Sequence, residues 1–333
     1  FSADESPLKE GLLWVGSDDG LIHITQDGGI NWKNITPKQM PEWTMINTIE
    51  ASPFDPGTCY VAGTRYKLGD YAPYLYKTTD YGVTWKTITS GIAKEDFTRV
   101  IRADPSREGM LYAGTENGIY VSYDDGNYWS MFQKNLPIVP ITDLKIKENS
   151  LIVATQGRSI WILDDLTVLH QMQSKKDGVE TILYKPKQSY RTKGRGGESS
   201  LTAGTNLPNG VIVHYYLKKF DSKKDKVELQ FKSNDGELIK TYSSEDKKNK
   251  LNVKEGGNSF VWDTRHDGAE KLKEMIFWSA SFSGAKSVPG SYSVSLLING
   301  EEKVQKFDIL ADPRSESSIE DMQKQFDFVN EVN

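Results

Sequence analysis

The chain has 333 residues, 37% of them hydrophobic and 26% charged, enough for two ordinary globular domains. Its net charge of −5 argues against nucleic-acid binding, which needs a basic stripe to displace counterions from phosphates. No apolar run reaches the roughly 18–20 residues that span a bilayer, so no segment is predicted to cross a membrane.

From the N-terminus, one eight-residue pattern occurs three times, as Ser/Thr-x-Asp-x-Gly-x-x-Trp. The copies are Thr25, Asp27, Gly29 and Trp32; Thr78, Asp80, Gly82 and Trp85; and Ser122, Asp124, Gly126 and Trp129. The aspartates are 53 and 44 residues apart, near the roughly 40–50 of a four-stranded propeller blade. Ahead of each copy stands a strand pair: Leu13-Trp14-Val15-Gly16 then Leu21–Ile24, Tyr60-Val61-Ala62-Gly63 then Tyr74–Tyr76, and Leu111-Tyr112-Ala113-Gly114 then Ile119–Val121. A fourth copy, Leu151–Thr155 and Ser159–Asp165, keeps the strands and loses the box.

The residue types suit a hairpin turn. A short Asp or Ser/Thr side chain accepts from exposed backbone N–H groups, and the glycine supplies a left-handed backbone at no steric cost. The tryptophan is expected to pack on its own blade's sheet, so the three aspartates read as structural rather than catalytic. Single Cys59 lies in a strand-like run and reads as a buried thiol. It excludes an intrachain disulfide or a zinc cluster built on cysteines.

These boxes resemble the Asp-box (BNR) repeats of sialidases, of two-propeller xyloglucan hydrolases and of the sortilin ectodomain. The phrases Tyr74–Gly82, Leu111–Val121 and Ala154–Leu166 are similar to large bacterial proteins, frequent in Bacteroidetes, of the sortilin-like or glycosyl hydrolase type. That resemblance implies a secreted, periplasmic or outer-surface location. It also implies a ligand that is a peptide, a protein or a glycan.

Residues 1–166 hold about three to four blades, and a ring closes with roughly 4–8. The remaining blades are therefore expected as partners, upstream in the same protein or on a separate chain. The chain starts at Phe1, not Met, and ends inside a helical pattern, so both ends are expected to be cuts.

Residues 167–181 read as a linker around a short helical turn. Across 182–312, short strands with the turns Asn234-Asp-Gly236 and Asn299-Gly300 predict a β-sandwich. The run from Gly257 through Trp262-Asp263 to Pro289-Gly290-Ser-Tyr292 resembles immunoglobulin-like modules of the flagellar hook-capping type, with Trp262 and Tyr292 in the core. Residues 313–333, with apolar Ile319, Met322, Phe326 and Val329, predict an amphipathic helix continuing past Asn333. The fold class is all-β: a partial Asp-box propeller, a sandwich and a short C-terminal helix.

Chemistry is sparse. Arg65, Arg99, Arg102, Arg107 and Arg158 lack a sialidase-type opening motif, and a glycosidase needs two carboxylates about 5–9.5 Å apart. Asp70, Glu95, Asp96, Glu116, Asp164 and Asp165 are the candidate acids, and no spacing singles out a pair. Four scattered histidines show no ligand spacing, so no metal and no cofactor is expected. Gly194-Arg-Gly-Gly197 lacks the strand-to-helix setting of a phosphate loop. The remaining hint is an insertion in the second blade, where Arg65, Tyr66, Asp70, Tyr71 and Tyr74 make a candidate ligand loop. The alternative is that these tyrosines pack against a neighbouring blade.

The leading reading is a non-catalytic binding or scaffold propeller with an accessory sandwich. The rivals are a two-propeller glycoside hydrolase with carboxylates at the ring centre, and a structural subunit of a surface complex.

Overall fold

A computed structural model describes residues 1–172, 180–192, 207–270 and 282–332. Most of the linker around Gln171–Gly178, and the whole Gly194–Gly197 loop, lie outside the described residues. The chain divides into two units, Phe1–Ser174 and Lys175–Asn333.

Unit 1 is a series of four antiparallel sheets laid down in chain order. The first holds β1 (Ser2–Glu5), β2 (Leu13–Gly16), β3 (Ile22–Thr25) and β4 (Lys33–Asn34). The second holds β5 (Met45–Ala51), β6 (Cys59–Arg65), β7 (Asp70–Thr78) and β8 (Lys86–Thr87). The third holds β9 (Thr98–Ala103), β10 (Leu111–Thr115), β11 (Ile119–Ser122) and β12 (Ser130–Met131). The fourth, β13 (Ile141–Lys147), β14 (Ser150–Thr155) and β15 (Ile160–Leu163), has three strands. Each strand pairs with the next in sequence. The leading strands pack in succession, β1 on β5, β5 on β9 and β9 on β13. These are propeller blades.

The blades meet through apolar side chains, and the middle blades face two cores at once. In β6, Cys59 and Val61 join Trp14, Ile22, Ile46 and Ile49 in the core shared with the first blade. Tyr60 and Ala62, pointing the other way, join Ile101, Ala113 and Trp129 in the core shared with the third. A strand buried on both faces must be apolar throughout, which is why β6 reads as an unbroken run. The structure corrects the sequence alignment here by one residue. Leu13, Cys59 and Leu111 are the equivalent positions, pairing with Thr25, Thr78 and Ser122.

Polar links cross the same boundaries. The Asp4 carboxylate accepts the Ala51 N–H (2.8 Å), and one repeat on, Glu50 accepts the Ala103 N–H (3.1 Å). At the third repeat Arg102 takes over the role, its Nε donating to the Leu144 carbonyl (2.8 Å) while Nη1 pairs with Glu50 and Nη2 with Asp143. Burial pushes the Glu50 carboxyl up to about 7, against the opposing pull of Arg102 and the Ala103 N–H.

In each box the hydroxyl of Thr25, Thr78 or Ser122 accepts the N–H of Gly29, Gly82 or Gly126 at 2.9–3.0 Å and donates to the aspartate at 2.7–2.9 Å. The aspartates accept backbone N–H groups four residues on, from Asn31, Thr84 and Tyr128 (2.8–2.9 Å). These bonds, with those from the Asn31 and Thr84 side chains, hold Asp27 down to about 2 and Asp80 below the usual carboxylate range.

Two of the three tryptophans differ from expectation, because they reach across to the preceding blade. Trp85 Nε1 donates to the Ile35 carbonyl and Trp129 Nε1 to that of Ile88, both at 2.7 Å. Gly82 and Gly126 lie directly on those isoleucines. A Cβ would stand 2.5 Å from Ile35 Cδ1 and 2.7 Å from Ile88 Cδ1. Trp32 bonds only its own hairpin, at Gly29 O (3.0 Å), and is 46% exposed, whereas Trp129 is 0% exposed.

In unit 2, β16 (Thr181–Leu183), β18 (Val211–Leu217) and β21 (Gly256–Trp262) form one sheet, in the order β16-β18-β21. The second sheet runs β17 (Ser189–Arg191), β23 (Glu301–Ala311), β22 (Gly290–Ile298), β19 (Val227–Ser233) and β20 (Leu238–Ser243). β17 pairs with β23 in parallel; the other pairings are antiparallel. Alternate residues of both sheets meet in one core, so this is a β-sandwich. Trp262 lies at its centre, stacked on Phe231 at 4.4 Å, with Tyr292 edge-on at 6.2 Å.

Outside the sheets, α1 (Thr167–Gln171) is the short helical turn that follows the blades. The C-terminal helix α2 (Ile319–Val332) starts at a reciprocal cap, with Ser318 Oγ accepting the Asp321 N–H and Asp321 accepting the Ser318 N–H, both at 3.1 Å. Its Phe326 lies edge-on to His266 at 4.7 Å.

Two outcomes follow for stability. Trp129→Ala should lose about 3–5 kcal/mol, and the half-exposed Trp32→Ala about 1 kcal/mol or less; urea unfolding of the full chain measures both, and equal losses would contradict the inter-blade account. Because the raised Glu50 carboxyl holds its proton longer in the folded state, its contribution is present at pH 4.5 and lost as the pH rises toward about 7. Glu50→Gln should therefore flatten the decline in melting temperature over that window, and an unchanged slope would count against it.

Candidate ligand cleft

A cleft of about 310 Å³ opens at one end of the first two blades. Its walls are Asp18 and Asp19 on the β2–β3 turn, Trp43 and Met45 at the entry to β5, and Thr64–Leu68 where β6 ends in a single 3₁₀ turn. The turn and the β5 entry come together because Gly20 (φ +97°) lies against the backbone of Thr44. A Cβ there would meet Thr44 O at 3.0 Å and N at 3.1 Å.

Trp43 carries the apolar surface. It is 65% exposed and holds a left-handed backbone, φ +63°, that a bulky residue seldom adopts. Thr64, only 1% exposed, is part of the cleft wall; its Oγ1 and the Nε of neighbouring Arg65 are buried and have no hydrogen-bond partner among the described residues. Arg65 Nη1 donates to Asp70 (2.8 Å).

The insertion divides in two. Arg65, Asp70 and Tyr74 interlock, with Tyr74 Oη donating to Asp70 at 2.8 Å. Burial alone would raise the Asp70 carboxyl, but the bonds from Tyr74 and the Ala72 N–H, together with Arg65, hold it below the usual range. Tyr66 stacks on Phe97 of the third blade at 5.1 Å, and Tyr71 lies tilted on the same ring at 6.1 Å. Of the five loop residues, Arg65 and Tyr66 line the cleft, while Tyr71 and Tyr74 serve neighbouring packing.

Three of the other candidate acids are held by neighbouring groups, and Asp96 and Glu116 come together, since the residue after Glu116 donates its N–H to Asp96. Asp96, 3% exposed, accepts the Asn117 N–H and the Tyr120 hydroxyl; Glu116 pairs with Arg99 at 2.6 Å; Asp165 accepts the Thr167 N–H. Glu95 is exposed and Asp164 half-buried. Arg99, Arg102 and Arg107 hold three different partners, Glu116, Glu50 with Asp143, and the Leu169 carbonyl. Sequence reasoning missed Trp43, Thr64 and the Asp18–Asp19 turn. The available signal was a large aromatic in the polar Pro41-Glu42-Trp43 segment between two blades.

No family model matches the chain, and no curated protein matches it. Among solved structures it is similar to YCF48 bound to D1 peptide, at 20% identity and TM-score 0.36, over 46% of this chain and 47% of that one. YCF48 from Cyanidioschyzon merolae matches at 16% identity and TM-score 0.37, over 50% and 52%. The GH74 xyloglucanase from Xanthomonas campestris matches at 15% identity and TM-score 0.38, over 62% and 31%. The chain thus spans about half of the two YCF48 structures and less than a third of the xyloglucanase. All three scores lie below 0.5, and the blade assignment rests on the strand pairing described above.

Proposed function

We propose that the chain is a binding module of a propeller protein, and that the Trp43 cleft takes a peptide or glycan chain without cleaving it. The observation that carries this reading is an indole, 65% exposed, standing with Arg65 and Tyr66 in the wall of one concave site. An exposed aromatic face in a concave site supplies contact area at low entropic cost to a peptide or to the face of a sugar. The three boxes belong to the scaffold in this reading, since their aspartates are turned into their own hairpins.

The glycosidase reading is weaker. Bond cleavage needs carboxyl groups facing each other across the sugar, and the two acids in the cleft, Asp18 and Asp19, share one turn, where Asp19 accepts from the Ser17 hydroxyl.

The same reading places further blades of this kind, on the same or a separate polypeptide, against the open face of the first blade. There Leu13, Val15 and His23 are half-exposed, although their equivalents Cys59, Val61 and Tyr76 are buried. It also places the protein outside the cytoplasm, on the cell surface or secreted.

A peptide and glycan array followed by titration calorimetry tests the proposal. Trp43→Ala should weaken the selected ligand about tenfold or more and leave the melting temperature within a degree or two, because the ring is largely exposed. Wild-type protein that retains nothing on either array, or that releases sugar from xyloglucan in an Asp19-dependent way, would overturn it.

A further inference from the structure

Three basic side chains converge in the sandwich, far along the chain from the cleft. Arg191 ends β17, and Arg265 and Lys286 face each other across an isolated antiparallel bridge. Backbone carbonyls tie each in place. Arg191 Nε donates to Ser287 O (3.1 Å), Arg265 Nη1 to Gly284 O (2.7 Å) and Lys286 Nζ to Thr192 O (2.8 Å). Lys286 thus reaches the residue after Arg191, and Arg191 reaches the residue after Lys286. Arg191 Nη2 also holds Gln325 Oε1 of α2 at 3.0 Å.

Among the described residues, no carboxylate forms an ion pair with any of the three. The acid that bears on the group electrostatically is Asp263, whose carboxylate is occupied by the Arg265 N–H at 3.1 Å. Burial, and then the charges of the other two, push Lys286 below its ordinary value; burial and then Arg265 do the same to Arg191. Cations held together by neutral carbonyls repel one another. Among the described residues they also keep donors to spare, at Arg191 Nη1, at Arg265 Nε and Nη2, and on the Lys286 ammonium.

We propose that Arg191, Arg265 and Lys286 form a binding site for a tetrahedral oxyanion, sulfate or phosphate, free or carried as an ester on a small molecule. Such an anion neutralises the repulsion and takes several charge-assisted hydrogen bonds from groups already fixed in position. The site is independent of the Trp43 cleft, so either can fail alone.

Titration calorimetry on the full chain, at constant ionic strength in chloride, tests it with sodium sulfate, sodium phosphate, glucose 6-sulfate and glucose 6-phosphate. The expected result is saturable 1:1 binding of at least one of these. Lys286→Gln and Arg265→Gln should each weaken it about tenfold or more, Lys286→Arg should retain it, and Lys224→Gln, an exposed lysine elsewhere on the unit, should leave it unchanged. An ester that binds more than tenfold tighter than the inorganic ion identifies the ester as the source; equal affinities identify the free ion. Circular dichroism reports whether each variant is folded. Should one Gln variant unfold, the other still decides, with Lys224→Gln as its control. No saturable heat with any of the four, or equal weakening by Lys224→Gln, overturns the proposal.

Discussion

The hydrogen bond that leaves one blade and ends on the next is the constraint on which unit 1 depends. Sheets stacked by apolar contact alone could slide, because hydrophobic burial is non-directional. Here the indoles of Trp85 and Trp129 fix the outer end of the first two boundaries, each against a particular carbonyl. The side chains of Asp4, Glu50 and Arg102 fix the inner end. Between these two lines of polar contacts the isoleucines, valines and tyrosines fill the wedge. Register and angle are set together.

Much of this was legible in the sequence, and for a physical reason. The box repeats because each hairpin solves the same local problem, satisfying N–H groups exposed by a tight turn. A local solution leaves a local signature. The apolar runs told of strands for the same reason, and the sandwich announced itself through short strands punctuated by the turns Asn234-Asp-Gly236 and Asn299-Gly300. What stayed hidden was set by partners distant in sequence. Nothing in the box says whether its tryptophan serves its own sheet or the one before. The one-residue offset at Cys59 is fixed by pairing with Thr78, not by composition. β1 was passed over because four residues at the very start carry no pattern of their own, yet they are the leading strand of the first blade.

The cleft was half legible. The tyrosine-rich insertion drew notice through its length and aromatic content, and two of its five candidate residues, Arg65 and Tyr66, do line the cavity. The aromatic that dominates the site, Trp43, comes from the segment that enters the first strand of the same blade, and the approach of the first blade's turn through Gly20 completes the cleft around it. The basic cluster of the sandwich is the same lesson again. Its members stand at 191, 265 and 286 and share no motif.

The succession β1, β5, β9, β13 has a mechanical consequence. Each sheet touches only the one before and the one after, so cohesion is a sum of nearest-neighbour couplings along a line. Loss of an end sheet removes one coupling; loss of the second or third severs the row in two. Amide exchange should thus rank by distance from the row's middle, slowest in β6 and β10, whose residues are buried on both faces, and quickest in three-stranded β13–β15.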